Sequence, residues 1–320
     1  MRIWSILSFG LLLGGTACLP EDPGQPGGTG GQAGAGGNAG GSTSTGGTAT
    51  GGTATGGTAT GGTATGGSST CEATGSGTIP GGFTESEIVW RDEFNGSGLP
   101  DQTKWQIMVW AKGTVNNEVQ AYVNSVNNLN QSACVLNITA LNSNNVVTSG
   151  RVESKSSWAP ASDNSVVYRV ETRALMAGGG GTWPAYWLLG KGSWPACGEI
   201  DIFEYVGNSH YFQCAAHDSS AINHTMKSYS PSSPETQWHV YAINFYGDHM
   251  EFYVDNVAFH TFTRPASWST TNWPFTNQNG NGFRVILNLA IGGTMGGTVD
   301  YNAFPMVQKF DYVRVYEKRN

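Results

Sequence analysis

WPACGEIDIFEYVG, residues 194–207, is the stretch that decides both the fold and the chemistry. Read as a strand, it alternates. Glu199 and Asp201 point to one side because side chains in a strand repeat every two residues, and Ile200 and Ile202 point to the other. Glu204 stands five residues after Glu199, an odd separation that would put it on the apolar side. One extra residue, a β-bulge at Ile202–Phe203, returns it to the acidic side. The stretch therefore predicts a row of three acids, Glu199, Asp201 and Glu204, above an apolar underside. With the bulge, the two Glu Cα atoms are about 13 Å apart at roughly 3.3 Å per residue. Side chains leaning inward can close that to about 5 Å, the separation at which one carboxylate attacks a sugar and the other carries the proton. Asp201 is shorter and sits between them. It can bond a neighbouring Glu, and clustering of like charge raises one pKa, which a general acid at neutral pH requires. Without such a role, three acids on one face would only repel.

Outward from this strand the chain shows no long helical period. It shows short β-rich runs broken by Gly, Asn, Ser and Pro: IVWRDEF (88–94), VLNITAL (135–141), VVYRVETRALM (166–176), HVYAINFY (239–246), MEFYVDNVAFHTF (250–262), FRVILNLAI (283–291) and KFDYVRVYE (309–317). In the third run Val167, Arg169, Glu171 and Arg173 alternate with Tyr168, Val170 and Thr172. Asp255-Asn256 has the composition of a hairpin turn. Many strands at short spacing predict an all-β sandwich whose curved outer sheet forms a concave substrate groove. With 12% charged residues, 11% aromatics, a net charge of −7 and no basic run, nucleic acid is excluded as a partner. A neutral polysaccharide suits this balance, and a monomer is expected. No G-x-S-x-G elbow argues for an esterase.

The first 80 residues read differently. Arg2, the apolar run Ile3–Leu13 and the small residues Gly14–Ala17 form an export signal over residues 1–17, too short to span a membrane. LLLGGTAC resembles a bacterial lipoprotein signal, with Cys18 as the acylated residue; a plain secretory peptide is the alternative. Residues 18–80 contain GGTAT four times, at 46–65, and almost nothing apolar larger than Ala, which predicts a disordered tether. The folded domain is expected over 81–320. The protein would be exported, as an outer-membrane lipoprotein or a secreted protein, touching a membrane only through its lipid. Four further cysteines in an oxidising compartment imply two disulfides. Of the three pairings, Cys197–Cys214 with Cys71–Cys134 is expected, the first bridging neighbouring strands and the second pinning the start of the domain.

From residue 85 to 318 the sequence resembles glycoside hydrolase family 16, and within it the laminarinase-like endo-β-1,3-glucanases. The resemblance is carried by WRDEFNG (90–96), NNEVQAY (116–122), TSGRVESK (148–155), GTWPAYWLLG (181–190), WPACGEIDIFEYVG (194–207), WHVYAINF (238–245), ILNLAIGG (286–293) and FDYVRVY (310–316). The Glu–x–Asp–x–x–Glu form, with its extra residue, is the laminarinase, agarase and carrageenase version; the lichenase version lacks that residue. The resemblance implies a jelly-roll sandwich and a retaining cut, with Glu199 as nucleophile, Asp201 assisting and Glu204 as acid/base. It implies that Trp194 is an aromatic platform, that His217 lies in the cleft, and that Asn117, Arg151, Arg173 and Trp183 face the sugar. Many members carry a calcium ion on the convex side, for which Glu93 and Asp311 are the matching donors; the chemistry itself requires no cofactor. One departure is Met295 in GGTMGG, where the family often has Trp. Other β-glycans, a transglycosylase and a lectin-like module on the same sandwich are the competing readings. All three acids are present, whereas a retired enzyme usually loses one.

Overall fold

The computed structural model describes residues 79–207, 211–218, 225–229, 233–268 and 272–320. The expected export signal, Cys18, the GGTAT repeats and Cys71 lie outside the described residues. The strands in chain order are β1 (Ile88–Asp92), β2 (Trp105–Ile107), β3 (Ala121–Tyr122), β4 (Leu129–Ser132), β5 (Val135–Ser143), β6 (Val146–Ser149), β7 (Arg151–Trp158), β8 (Val166–Leu175) and β9 (Thr182–Leu189). They continue with β10 (Glu199–Val206), β11 (Tyr211–His217), β12 (Thr225–Tyr229), β13 (His239–Phe245), β14 (His249–Val254), β15 (Val257–Thr263), β16 (Phe283–Ile291) and β17 (Met306–Arg319).

Two sheets result. One runs β15-β14-β13-β8-β17-β5-β6-β3, with β1 added on β17 and β4 on β5. The other runs β12-β11-β10-β9-β16-β7-β2. Consecutive strands β7, β8 and β9 alternate between the sheets, so the chain winds around the core. The alternation seen in the sequence holds. Tyr168, Val170 and Ala174 of β8 enter the core, as do Val285, Leu287, Leu289 and Ile291 of β16. Asp255 and Asn256 take φ of 50° and 63° and close the β14–β15 hairpin, as a turn needing two positive φ values requires.

The sheet that carries the acids is anchored by aromatics from both layers. Phe203 of β10 lies 4.6 Å, centroid to centroid, from Tyr241 of β13, and Phe212 of β11 lies 5.6 Å from the same ring. Packed aromatic pairs of this kind add about 0.5–1.5 kcal/mol each beyond their buried area. They fix β10 and β11 against the opposite sheet and leave their other face for chemistry.

The cysteines differ from expectation. Cys197 and Cys214 are buried thiols rather than a disulfide. Glu199 pairs with His217 in the β10–β11 register, so Cys197 falls beyond the end of the pairing while Cys214 lies three residues back along β11 and inside the core. Cys197 lies in a tight turn, its N–H bonded to Ser193 O, so it does not continue the ladder towards β11. Cys134 is disulfide-bonded.

Candidate active site

The acids come from β10, and the bulge is where the sequence predicts it. Asp201 pairs with Ala215 and Glu204 with Gln213, three steps on β10 against two on β11. On the other side Asp201 pairs with Trp187 and Phe203 with Tyr186, two steps against one. The extra residue is taken up at Ile202–Phe203, and both of these side chains are buried in the core. Glu199, Asp201 and Glu204 consequently share the outer face of the seven-stranded sheet.

The neighbouring strands furnish the rest of that face by the same two-residue period. β11 contributes Gln213 and His217, β9 contributes Trp183 and Trp187, β16 contributes Arg284 and Asn288, and β7 contributes Arg151 and Glu153. His217 Nε2 lies 3.0 Å from Asp201 Oδ2 and 3.9 Å from Glu199 Oε1. Trp183 Nε1 donates to Glu204 Oε1 at 3.0 Å, and Gln213 Nε2 donates to Glu204 Oε2 at 2.9 Å. Trp194 is 44% exposed, its ring centroid 6.2 Å from that of His217, so an apolar face stands open beside the acids.

Electrostatics follow from this packing. Burial first, and the charge of Asp201 second, push Glu199 up to about 8 and Glu204 up to about 7. Both carboxyls therefore take up a proton far more readily than an ordinary glutamate. His217 moves the other way from what burial alone would do. Burial disfavours its cation, but the Asp201 hydrogen bond and the charges of Asp201, Glu199 and Glu204 outweigh it and raise it to about 9. An imidazolium therefore stands beside Asp201 and offsets the accumulated negative charge.

To one side, Arg151 lies between two indoles, its guanidinium carbon 4.3 Å from the ring centre of Trp110 and 4.8 Å from that of Trp187. Glu153 pairs with Arg151 at 2.7 Å and with Arg284 at 2.5 Å. Trp187 Nε1 donates to Asn288 Oδ1, and Asn288 Nδ2 to the Tyr122 hydroxyl. At the Glu204 end, the 116–120 loop packs on the turn after β16. Thr294 N donates to Asn116 O, and Gln120 Oε1 accepts from Ile291 N. Gly293, with φ of 71°, approaches so closely that a Cβ there would lie 2.8 Å from Asn116 O. Glu118 is buried in this contact and raised by that burial, partly offset by bonds from Gln120 and Asn116. Asn117 is exposed on the same loop.

One residue expected to face the sugar lies elsewhere. Arg173 belongs to β8 of the other sheet, on the side facing away from the core, where it pairs with Asp311 at 2.8 Å and covers Trp238. Glu93 holds Arg314 through both oxygens, at 2.8 and 2.9 Å. The two carboxylates expected to bind calcium are each engaged by an arginine. Sequence reasoning also missed several residues that the structure brings to the face: Gln213, Asn288, Trp110, Glu153 and Glu118. Gln213 was within reach, since it stands four residues before His217, an even step on the same strand.

Known proteins repeat this arrangement of chain. The R. marinus β-glucanase (Rhodothermus marinus) is 37% identical over 256 residues, spanning 72% of this chain and 85% of that protein. A keratan-sulfate endo-1,4-β-galactosidase of Sphingobacterium multivorum is 32% identical over 245 residues, and the match spans only 56% of its length. Among solved structures, the laminarinase from Rhodothermus marinus superposes with a TM-score of 0.65 at 34% identity, over 72% of this chain and 96% of that one. The family model for glycosyl hydrolases family 16 matches residues 123–282. With its jelly-roll sandwich and its row of three acids, the chain belongs to glycosyl hydrolases family 16.

Proposed function

We propose that the protein is a retaining endo-glycoside hydrolase that cleaves β-1,3-glucan. The observation that carries this reading is the bulged β10, which places Glu199, Asp201 and Glu204 on one face with His217 and Trp194 beside them. Glu199 attacks the anomeric carbon, forming a glycosyl ester, while Glu204 gives its proton to the departing glycosidic oxygen. Glu204, now ionised, takes a proton from water, which attacks the ester and frees Glu199. Substrate sorts the protonation of the two. A glycosidic oxygen next to Glu204 accepts a hydrogen bond only from the protonated carboxyl, and positive charge growing at the anomeric carbon favours an ionised Glu199. Asp201, bonded to His217, holds the cation that keeps the row from protonating fully. Trp194 supplies an apolar platform for a pyranose face, and Arg151 and Asn288 offer hydrogen bonds to hydroxyl groups farther along.

The names of the relatives support a β-glucan over other glycans, although the galactosidase among them makes the choice worth testing. A reducing-sugar assay on laminarin, curdlan, barley glucan and agarose in parallel decides it. Laminarin is expected to be cut fastest, with oligosaccharides of several lengths appearing early; no release from laminarin or curdlan would overturn the reading. We also propose export and anchoring through acylated Cys18, supported by the LLLGGTAC signal. Labelled palmitate should enter the full chain and be absent from Cys18→Ala.

A further inference from the structure

Glu204 is gripped at both oxygens. Trp183 supplies one N–H and Gln213 the other, and each comes from a strand that flanks β10. Gln213 is 2% exposed and is the Cα partner of Glu204 in the β10–β11 register. Its Nε2 also lies 4.0 Å from Met295 Sδ, so the GGTMGG turn closes over the amide. Facing a carboxylate, an amide presents its N–H and not its carbonyl. A neutral donor suits a general acid: it fixes the rotamer without the full charge of Lys or Arg, which would hold the carboxyl ionised. Orientation matters because proton transfer requires the acid within hydrogen-bond reach of the leaving oxygen, and a displacement of about 1 Å can cost 100-fold.

We propose that Gln213 is a positioning residue for the acid/base step, holding Glu204 aimed at the glycosidic oxygen together with Trp183 and under the cover of Met295. This rests on the assignment of Glu204 as acid/base. The role acts only where a proton must be delivered. It therefore separates substrates by leaving group: a sugar alkoxide needs the proton, whereas dinitrophenolate leaves without it.

The test compares kcat/KM of wild type, Gln213→Leu and Gln213→Glu on laminarin and on a dinitrophenyl β-laminaribioside. Gln213→Leu is expected to lose about tenfold or more on laminarin and to stay within about twofold on the aryl glycoside. Its alkaline limb on laminarin should move to higher pH, because the lost N–H stabilised the ionised carboxyl. Gln213→Glu, which preserves side-chain volume, should move that limb further up by adding a carboxyl beside Glu204, and it serves if the Leu variant does not fold. Equal losses on both substrates, or unchanged laminarin activity with unmoved limbs, would overturn the proposal. Glu204→Gln run alongside distinguishes the two layers. If it keeps full activity on laminarin, the acid/base assignment itself fails; if it loses laminarin but retains the aryl glycoside while Gln213→Leu loses neither, only the positioning role fails.

Discussion

Ile202 and Phe203 are consecutive residues of one strand, yet both turn into the core. That pair of inward side chains is what lets Glu204, five positions after Glu199, share its face. Removing Ile202 leaves Glu–x–Asp–x–Glu, in which a regular strand already puts all three acids on one side. The deletion is thus expected to fold and keep a fraction of activity, with a drop in stability of about 2–5 kcal/mol from the lost buried side chain. Deleting Ile200 instead puts Glu199 out of step with Asp201 and Glu204 and should abolish activity. Denaturant unfolding and laminarin assays on the two deletions check this; equal activity in both would contradict it.

A buried carboxyl that ionises late makes the native state sensitive to alkali. The folded pKa of Glu199, about 8, lies above the ordinary 4.5, so its contribution to stability is fully present below about pH 4.5 and is lost as pH rises through 8. Glu199→Gln has no such charge to bury. Its melting temperature should equal that of wild type at pH 4 and exceed it by several degrees at pH 8, a gain in stability bought with activity. A variant less stable than wild type at pH 8 would contradict the electrostatic account.

His217 is the cation of the site, and it lowers both glutamates. His217→Asn removes that charge but retains a polar group near Asp201. Both limbs of the kcat/KM profile should then shift to higher pH, with a larger loss at pH 5 than at pH 8. Wild-type limbs in the variant would mean that His217 is only a structural partner of Asp201.

Much of this site was legible because a strand encodes its faces in its spacing. Glu199, Asp201, Glu204 and the bulge follow from a period of two and one odd gap, and His217, Trp183 and Arg151, named through the family resemblance, stand on the same face. What the period does not encode is which sheet a strand joins. Arg173 alternates as regularly as Arg151, but β8 lies in the opposite layer, so its outward face is the far side of the molecule. The arginine partners of Glu93 and Asp311 were hidden for a related reason, since they lie in other strands. Cys197 and Cys214 are close in sequence, and only the fold shows that one sits in the turn before β10 and the other in the core. Trp110 reaches Arg151 from the irregular chain between β2 and β3, where no periodicity exists to read.

The roles of the two glutamates separate with azide as an external nucleophile. In Glu204→Ala, with the dinitrophenyl substrate, azide should intercept the glycosyl ester and give a β-glycosyl azide. In Glu199→Ala it should replace the missing carboxylate and give the α-azide. Mass and anomeric coupling of the products check this; reversal of the two outcomes would exchange the roles.

The central claim is a two-step cut through an ester on Glu199, and the anomeric configuration of the new reducing end tests it most directly. Proton NMR of laminarin during the first minutes of hydrolysis should show the β-anomer appearing first, followed by the α-anomer as mutarotation proceeds. An α-anomer formed first would mean a single displacement by water and would contradict the account.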